Sequence, residues 1–482
     1  MDLSSLSAVT PTGAITGEMA MGDLAALRKA LEAGYGTDVA GLTGGAALRI
    51  QSLDTTLQAT LADNNHFRLF NAISKTDASA TVDEWTEATD QGGYPGGSAN
   101  GELDVISQAQ GTYARRAAFV KYLMTRCEVS FVQTLQNAIV QAEAIENQMG
   151  TLRLLRDVEH LCFEGDSTVV SSEFDGLYAQ INGLGSSDHI LDAEGQSLAS
   201  IDLVNKAAAT IAGVGNFGTP TDLFMSPLVQ SDFDTGLDPA FRVSLSGTGQ
   251  DIMLGAPVKG IRTSWGDIRA TPDVFIRDEG QQTPFVVRYA SIASANVANV
   301  SAGVAGVAAA DTSSKFGAVH AGNYYYAVAG VNKAGESTLA KSAQVAVAAG
   351  DKVTVTIQPS AGGTETGYAV YRSALNGGNA NGDFRLMCRV AKAAGGGNTT
   401  YVDLNRDIPG TSKAYILNLS PGHHAVTWRK LLPLTKFALY PTTAAVVPWA
   451  LLMFGFLRVS KRNQHVVIKN VLPNGATFRP FG

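Results

Sequence analysis

The sequence predicts an α+β protein that carries an inserted all-β domain. A polar region that reads as an extended hairpin, residues 81–126, precedes one very long amphipathic helix. Helix-like and strand-like segments then alternate up to about residue 290, which is typical of a mixed α+β body. From residue 322 onward, short segments of alternating apolar residues are separated by Gly and Asn clusters, as in a β-sandwich.

Length and composition limit the classes of protein to which this chain can belong. The 482 residues suffice for two or three domains with their own cores, and a hydrophobic fraction of 45% excludes a globally disordered chain. The formal net charge of −7 is mildly acidic. Because proteins that grip nucleic acid directly usually present a basic face, we expect at most loose, non-specific contact with DNA.

Cysteine usage and apolar runs indicate a reducing compartment and no membrane partner. Cys127, Cys162 and Cys388 are odd in number and widely spaced, which argues against a disulfide framework. Residues 1–28 lack the basic-then-apolar pattern of a secretory signal. The most apolar run, residues 444–457, is too short to span a bilayer and is interpreted as a buried strand.

The long helix is predicted over residues 130–164. At ~1.5 Å per residue it forms a rod of roughly 50 Å. Gly150 lies inside it and predicts a bend or a close crossing, and Gly165 predicts a left-handed stop. The apolar residues that recur at three- and four-residue steps are Phe131, Leu135, Ala138, Ala142, Ile145, Met149, Leu152, Leu155, Val158 and Cys162.

An exposed hairpin and a rod of this length are difficult to bury inside one compact domain. The alternative is an ordinary core helix in a bundle. No second helix of similar length is predicted to pack along the first, which disfavours that alternative. The pattern therefore indicates a subunit whose missing contacts are supplied by neighbouring copies.

Charges on the predicted hairpin segregate by sign. Two interpretations stand beside each other: a solvated strand pair, or complementary charge between adjacent subunits, which sets register more than affinity. The candidate inter-subunit contacts are acidic on the outgoing arm and basic on the return: Glu84, Glu87, Asp90, Glu102, Arg115, Arg116, Lys121 and Arg126.

Motifs for catalysis or ligand binding are weak. Residues 213–218 match GxGxxG, but a helix precedes them and a strand follows, the reverse of a nucleotide site. His423 and His424 are adjacent and would point to opposite faces of a strand. With no nucleophile elbow and no acid pair, we predict no catalytic, cofactor or metal site, and no enzyme.

The order of segments resembles the major capsid proteins of tailed bacteriophages, the Hong Kong 97-like or Johnson fold. The extended loop matches residues 81–126, with Trp85-Thr86-Glu87 on one arm and Tyr113-Ala114-Arg115-Arg116 on the other. Residues 174–177 are similar to the turn after the spine helix. Residues 221–227 resemble a strand-to-helix step of the axial domain, and residues 451–471 resemble a final hairpin.

The resemblance implies a division of the chain and a set of partners. It implies self-assembly through hexamers and pentamers into an icosahedral shell around double-stranded DNA, with portal and scaffold or decoration proteins. It also implies a location in the virion capsid, and in the host cytoplasm during assembly. The implied segments are an N-terminal arm (1–80), an extended loop (81–126), the spine helix and start of the peripheral domain (127–195), an axial domain (196–312), an insertion (313–411) and a return through both domains (412–482).

The insertion resembles a fibronectin type III or immunoglobulin-like domain. Residues 322–337 are similar to the last strands of such a module, and residues 367–373 and 400–403 to its middle strands. The order of the two groups is reversed, so a permuted sandwich is expected. The alternative function is an adhesin or binding protein built around this domain.

Overall fold

The computed structural model describes residues 66–106, 108–132, 142–236, 258–280, 282–284, 305–441 and 444–482. Most of the predicted N-terminal arm lies outside these residues. The helices are α1 (Arg68–Ala72), α2 (Ala142–Glu164), α3 (Leu177–Asn182), α4 (Asp202–Ala212) and α5 (Pro227–Gly236), with 3-10 turns at Ser187–His189, Ala318–His320, Asn381–Asp383, Ala394–Gly396 and Arg462–Gln464.

The strands fall into three groups along the chain. The first contains β1 (Ser74–Asp77), β2 (Val82–Asp90), β3 (Thr112–Phe119), β4 (Lys121–Ser130), β5 (Ile190–Asp192), β6 (Asp222–Met225), β7 (Gly260–Thr263) and β8 (Gly266–Pro272). The second contains β9 (Ala305–Ala310), β10 (Gly322–Tyr324), β11 (Tyr326–Asn332), β12 (Gly335–Glu336), β13 (Ala340–Lys341), β14 (Val345–Val347), β15 (Asp351–Ile357), β16 (Gly367–Ser373), β17 (Phe384–Ala391) and β18 (Thr399–Asp403). The third contains β19 (Ser412–Leu417), β20 (Val426–Ala438), β21 (Val446–Val459) and β22 (Val466–Val471).

The first large sheet has the strand order β1–β20–β21–β4, and helix α2 packs against it. Along β21 the buried residues alternate, with Trp449, Leu451 and Met453 on one face, as expected for a strand with one covered face. Gly150 of α2 lies where the helix crosses the sheet. A Cβ there would come within 2.6 Å of Cys127 Sγ and 2.8 Å of Leu451 Cδ1, so only glycine allows this approach.

Helix α2 is covered more completely toward its C-terminal end. Ile145 and Met149 near its start are only half-buried. The predicted apolar stripe is confirmed at Val158 and Cys162, but Leu154 is fully buried where Leu155 was expected to be. The buried residues of this helix are Gly150, Leu154, Val158, Glu159, Cys162 and Phe163.

The second large sheet has the order β5–β22–β19–β6–β8–β7, and helices α4 and α5 share its apolar core. The step from β6 to α5 follows directly from the local sequence. Pro227 takes the first helical position, where its missing N–H costs nothing. The Ser226 hydroxyl accepts a hydrogen bond from the Val229 N–H at 3.4 Å, which caps the helix.

Two smaller sheets pack face to face in residues 305–404, hereafter the two-sheet body. One sheet has the order β12–β11–β16–β17 with β13 on β11, and the other has the order β18–β15–β9. Tyr326 and Tyr368 of the first sheet share one apolar core with Val353 and Val355 of the second. Strands β10 and β14 form a separate antiparallel pair.

A buried ion pair lies inside the two-sheet body. Arg372 and Asp403 are completely buried and 2.6 Å apart. The Tyr326 hydroxyl donates to the same Asp403 oxygen at 2.8 Å, and Arg372 donates to Asn405 at 2.8 Å. Burial by itself opposes the charge on Arg372, but Asp403 and the neighbouring tyrosines hold its pKa above the ordinary value.

The two-sheet body is fixed to the rest of the subunit by both apolar and ionic contacts. Val169 and Val170, just after α2, share an apolar cluster with residues of β11, β16 and β17. Arg389 donates two hydrogen bonds to Glu173, at 3.0 and 3.1 Å. The body therefore shares a continuous apolar contact with the chain that carries it.

The predicted end of the extended loop at residue 126 needs correction. The hairpin ends at Phe119, because Val120 is buried and its N–H donates to the Thr81 carbonyl at 2.8 Å. Strand β4 follows and runs through residues 121–130, past the predicted end of the loop at 126 and into the predicted spine segment. Phe131 and Val132 are helical and α2 begins at residue 142, while residues 133–141 of the predicted rod lie outside the described residues.

The glycine after the helix also differs from its prediction. Gly165 does not adopt a left-handed conformation. A Cβ at Gly165 would lie 2.3 Å from the Phe174 carbonyl oxygen, so this glycine allows the following turn to pack against the helix end. Close packing, and not backbone handedness, therefore accounts for it.

One further boundary and one predicted strand pairing were wrong, because the strand partners lie far apart in sequence. Strand β9 pairs with β15, so the all-β domain begins at or before residue 305 and not at 313. The predicted C-terminal hairpin also fails, because β21 pairs with β20 and β4, whereas β22 pairs with β19 and β5 in the other sheet.

Candidate assembly interface

The hairpin β2–β3 forms a two-stranded sheet of its own. Val82 pairs with Phe119 at its root, and Asp90 pairs with Thr112 at the far end of the ladder. Glu87 is buried, whereas β3 has no buried residue. The face of the hairpin that carries Asp83, Trp85 and Glu87 is therefore partly covered, whereas the opposite face is exposed among the described residues.

The root of the hairpin is held by acidic side chains on arginines of the body. Asp83 accepts hydrogen bonds from Arg429 at 3.0 and 3.1 Å and from Arg458 at 3.2 Å. Glu87 accepts from Arg462 at 3.2 Å and from Arg116 at 3.4 Å. Sequence analysis missed Asp83, although its position beside Glu84 on an alternating strand was a usable signal.

The remaining predicted contact residues are mostly satisfied within one chain. Glu84 pairs with Arg115 across the hairpin. Asp90 accepts from the Gly92 N–H at 3.1 Å and shapes the turn. Lys121 and Arg126 are not on the return arm but on β4, where Lys121 donates to the Ser171 carbonyl at 2.6 Å and Arg126 pairs with Glu128 at 2.7 Å.

Glu102 differs from the other predicted charges. It is exposed in the loop beyond the strands, and it makes no polar contact with any residue that the structure describes. The interpretation of the hairpin charges as a solvated strand pair therefore fits Glu84 and Arg115, whereas Glu102 stays available for a partner.

An apolar cluster at the hairpin tip was missed by the sequence analysis. Leu103 and Val105 are 95% exposed and Ile106 is 80% exposed. Asp104 holds the turn by accepting a hydrogen bond from the Gly101 N–H at 2.6 Å. Such a concentration of exposed aliphatic side chains marks an interaction site more often than solvated surface. The signal in the sequence was a short apolar run inside an otherwise polar loop.

A second exposed apolar patch lies at the far end of the first large sheet. Phe131 and Val132 follow β4, and the Phe131 N–H donates to the Ala445 carbonyl at 2.9 Å. Phe437 lies at the end of β20, which is separated from β4 by β21, and Tyr440 follows that strand; both are exposed. The subunit thus presents apolar surface at two separate places.

A buried pair of carboxyl groups anchors the chain segment that leads into the hairpin. Both Glu159 oxygens accept backbone N–H groups of α1, from Leu69 at 2.6 Å and from Phe70 at 2.8 Å. The Asp273 carboxyl is close enough to Glu159 to influence its charge. Oδ1 of Asp273 accepts a hydrogen bond from the Phe275 N–H at 2.9 Å. Oδ2 of Asp273 is buried and has no hydrogen-bond partner in the described part of the chain.

The electrostatics of this pair favour one shared proton. Burial raises the pKa of Glu159 well above its usual range, and the negative charge of Asp273 raises it further. Burial also raises the pKa of Asp273. The pair lies inside the core and away from any open cleft, so its effect is on stability and not on catalysis.

The weak ligand motifs lie in ordinary structural settings. Residues 213–218 form a loop after α4, in which the Asn216 side chain donates to the Thr210 carbonyl at 2.8 Å. His424 contacts the Ser74 hydroxyl at 3.3 Å. Within the described ranges, no His, Cys, Asp and Glu side chains group in a way that suits a metal ion. Those ranges also contain no helix with the length and apolar character needed to cross a membrane.

Sequence comparison relates the chain to a phage protein. No family model matches. The chain is 27% identical over 466 residues to the "Putative major capsid protein" of Enterococcus phage phiEF24C, and the alignment covers 92% of this chain and 94% of that protein. The similarity therefore extends along nearly the whole of both chains.

Structural comparison returns chains of similar extent with low scores. The capsid of a native GTA particle is 11% identical, with 89% of this chain and 97% of that chain covered and a TM-score of 0.46. A chain of Mycobacterium phage Ogopogo is 10% identical, with 89% and 99% covered and a TM-score of 0.45. The holo-SrpI encapsulin complex of Synechococcus elongatus PCC 7942 is 9% identical, with 91% and 100% covered and a TM-score of 0.42. Scores of this size do not assign a fold.

Proposed function

We propose that this chain is the major capsid protein of a tailed bacteriophage, a non-enzymatic subunit with the Hong Kong 97-like fold. In this proposal it self-assembles into an icosahedral shell that encloses the double-stranded DNA genome. The observation that carries the proposal is the sequence similarity to the phage protein along nearly the full length of both chains. The hairpin supports it, because its apolar tip has no cover among the residues that the structure describes.

The mechanism is assembly by repeated contacts between unlike surfaces. Each subunit lays its hairpin on a neighbour and offers other exposed apolar surface, such as that around Phe437 and Tyr440, to further neighbours. Contacts between unlike surfaces close into rings when the rotation fits, which suits hexamers and pentamers. Portal and scaffold or decoration proteins are proposed as additional partners, and contact with packaged DNA is proposed to be loose.

The predicted charged contacts remain part of this proposal in a modified form. Glu84 and Arg115 shape the hairpin, and Glu102 is the charge most available to a neighbour. The segments from N-terminal arm to C-terminal return are proposed as predicted, with the corrected hairpin end at 119 and a start of the inserted domain at or before 305.

The inserted two-sheet body is proposed to be an immunoglobulin-like domain on the outer surface of the shell. Its two face-to-face sheets support this. A position against the packaged DNA is less suitable, because a filled capsid leaves little room there. The alternative function, an adhesin or binding protein, depends on this domain alone. It does not account for the exposed apolar tip of the hairpin.

Sedimentation and negative-stain microscopy of the purified full chain test the proposal. We expect closed particles, tubes or sheets. A matched pair of variants then asks whether the hairpin tip is needed. Replacing Leu103, Val105 and Ile106 together by Ser is expected to lower particle yield by roughly tenfold or more, because each lost contact weakens association.

The control changes an equally exposed residue outside the hairpin. Val214 is 90% exposed in the loop after α4, and Val214→Ser is expected to leave particle yield unchanged. A chain that remains a dispersed monomer under all conditions of dilution and salt would contradict the capsid proposal and favour the adhesin alternative.

A further inference from the structure

An open groove of about 1030 Å³ lies at the root of the hairpin. One wall is formed by Phe119, Tyr122 and Met124, which are 52 to 63% exposed. The turn of residues 332–335 between β11 and β12, at the edge of the two-sheet body, also lines the groove. The groove therefore exists only because the inserted body lies beside the hairpin root.

We infer that this groove receives the hairpin tip of a second copy of this chain, so that successive subunits join tip to root. The inference rests on the proposed shell function and names the surface that accepts the hairpin. The occupant is the segment 101–106, whose three apolar side chains are the most exposed aliphatic group in the described residues.

The subunit cannot satisfy this contact with its own tip. Strands β2 and β3 are paired from Val82–Phe119 to Asp90–Thr112, and the nine residues of β2 at ~3.4 Å each place the tip roughly 30 Å from the groove. Donor and acceptor surfaces thus lie at opposite ends of one rigid ribbon. Such a head-to-tail contact generates rings or open chains of subunits and not an isolated symmetric dimer.

The charges of the two surfaces are complementary. The tip carries Glu102 and Asp104. Three acids line the groove: Asp157 and Glu173 are already paired with Arg156 and Arg389, and the buried Glu336 accepts a hydrogen bond from the Tyr371 hydroxyl. The lysines of the groove, Lys121 and Lys333, have no carboxylate partner among the described residues, and Lys333 is exposed on the turn. An acidic tip therefore meets a groove with uncompensated positive charge, which favours this register.

Disulfide cross-linking of the full chain tests the contact. The variant combines Val105→Cys at the tip with Ala334→Cys in the groove wall. Particles are assembled under reducing conditions, oxidised and separated on a non-reducing gel. We expect a ladder of linked oligomers from the double variant, and only dimers from a mixture of the two single variants.

The control pairs Ala334→Cys with Val214→Cys, an equally exposed position away from the hairpin. The native Cys127 and Cys162 are buried and Cys388 is half-buried, so the unaltered chain, which is expected to give no ladder, is oxidised in parallel as a second control. Particles from the double variant that show no ladder would overturn the tip-to-groove contact and leave the shell function intact. Failure of the unaltered chain to form any particles would overturn both.

A charge exchange gives an independent measurement without cysteines. Glu102→Lys and Lys333→Glu are each expected to reduce particle yield, and the two together are expected to restore it. A double variant no better than the worse single variant would contradict the proposed register. If the chain's own N-terminal residues occupied the groove, the double cysteine variant would give no ladder, which would overturn the inference.

Discussion

The hairpin of residues 82–119 and the two-sheet body of residues 305–404 are both built from short strands, yet the strands have different surroundings. No residue of β3 is buried, whereas every residue of β16 is buried. The difference is visible in sequence: TYARRAAF mixes charged and small residues, and GYAVYRS is largely apolar except for Arg372 and Ser373. A strand covered on both sides reads as a near-continuous apolar run.

The comparison shows which part of the subunit is complete by itself. The two-sheet body buries one face against its own second sheet and the other against Val169 and Val170. The hairpin has ladder hydrogen bonds and a few anchoring carboxylates, but its tip has no cover within the described residues. Changes in the body should therefore alter subunit stability, and changes in the hairpin should alter assembly.

The largest expected effect comes from breaking the buried ion pair of the body. Asp403→Asn leaves Arg372 buried without a counter-charge, and loss of one partner of such a pair costs about 3–5 kcal/mol. Urea unfolding of dissociated subunits measures this loss. Asp267→Asn, which removes one half of an exposed pair with Arg262, serves as the control and should not change the midpoint.

A smaller effect is expected at the contact between the body and the segment after α2. A Cβ at Gly367 would lie 2.5 Å from Val169 Cγ1 and 2.9 Å from the Val390 carbonyl oxygen. Gly367→Ala should cost about 1–3 kcal/mol of unfolding free energy, because overpacking forces backbone shifts. Gly382→Ala, with no atom within 4 Å of the added Cβ, is the matched control and should be near neutral.

Equal stability of these two glycine variants would mean that the body is attached more loosely than its contacts indicate.

The sequence predicted elements whose signals are local. The alternation along β21 and the Ser226–Pro227 helix start were sufficient to place a buried strand and the helix α5. Pairing between distant segments was not predictable in the same way. Strand β22 follows β21 closely yet pairs with β19, about fifty residues earlier, because its apolar face completes the other sheet.

The candidate interface was predictable only in outline. The hairpin and its charges were found, but the charges proved to pair mostly within the chain, as Glu84 does with Arg115. The apolar tip was overlooked because Leu103, Val105 and Ile106 lie in a loop without periodicity. The groove depends on residues 119–124 meeting residues 332–335, which no local pattern reveals.

An intermediate effect, dependent on pH, is expected at the buried carboxyl pair. Because the pKa of Glu159 is raised in the folded subunit, its contribution to stability is complete below its unfolded pKa, about 4.3, and is lost as pH rises toward the folded value. Asp273→Asn keeps the shape of the side chain. It replaces the titrating carboxyl by an amide, whose N–H is present beside Glu159 at every pH. The variant should therefore gain at least about 1.4 kcal/mol relative to the native chain near pH 9.

Urea unfolding of both proteins between pH 5 and pH 9 measures this gain. Parallel stability curves for the two proteins would show that the carboxyl pair carries no extra proton, and the account of this anchor would have to be abandoned.

The smallest effect on stability is expected within the hairpin. Glu84→Gln removes an exposed cross-strand pair with Arg115, which contributes less than about 1 kcal/mol. The unfolding midpoint of the subunit should stay the same within error. A large loss of stability would show that the hairpin is part of the subunit's cooperative core, and the contrast with the two-sheet body would disappear.

Amide hydrogen exchange, followed by mass spectrometry in dissociated subunits and in assembled particles, measures directly whether neighbours cover the hairpin. We predict that residues 91–111 exchange rapidly in the subunit and become protected in particles, whereas β11 and β16 are protected equally in both. Residues 91–111 that exchange at the same rate in both forms would contradict the claim that the hairpin is completed by another copy of the chain.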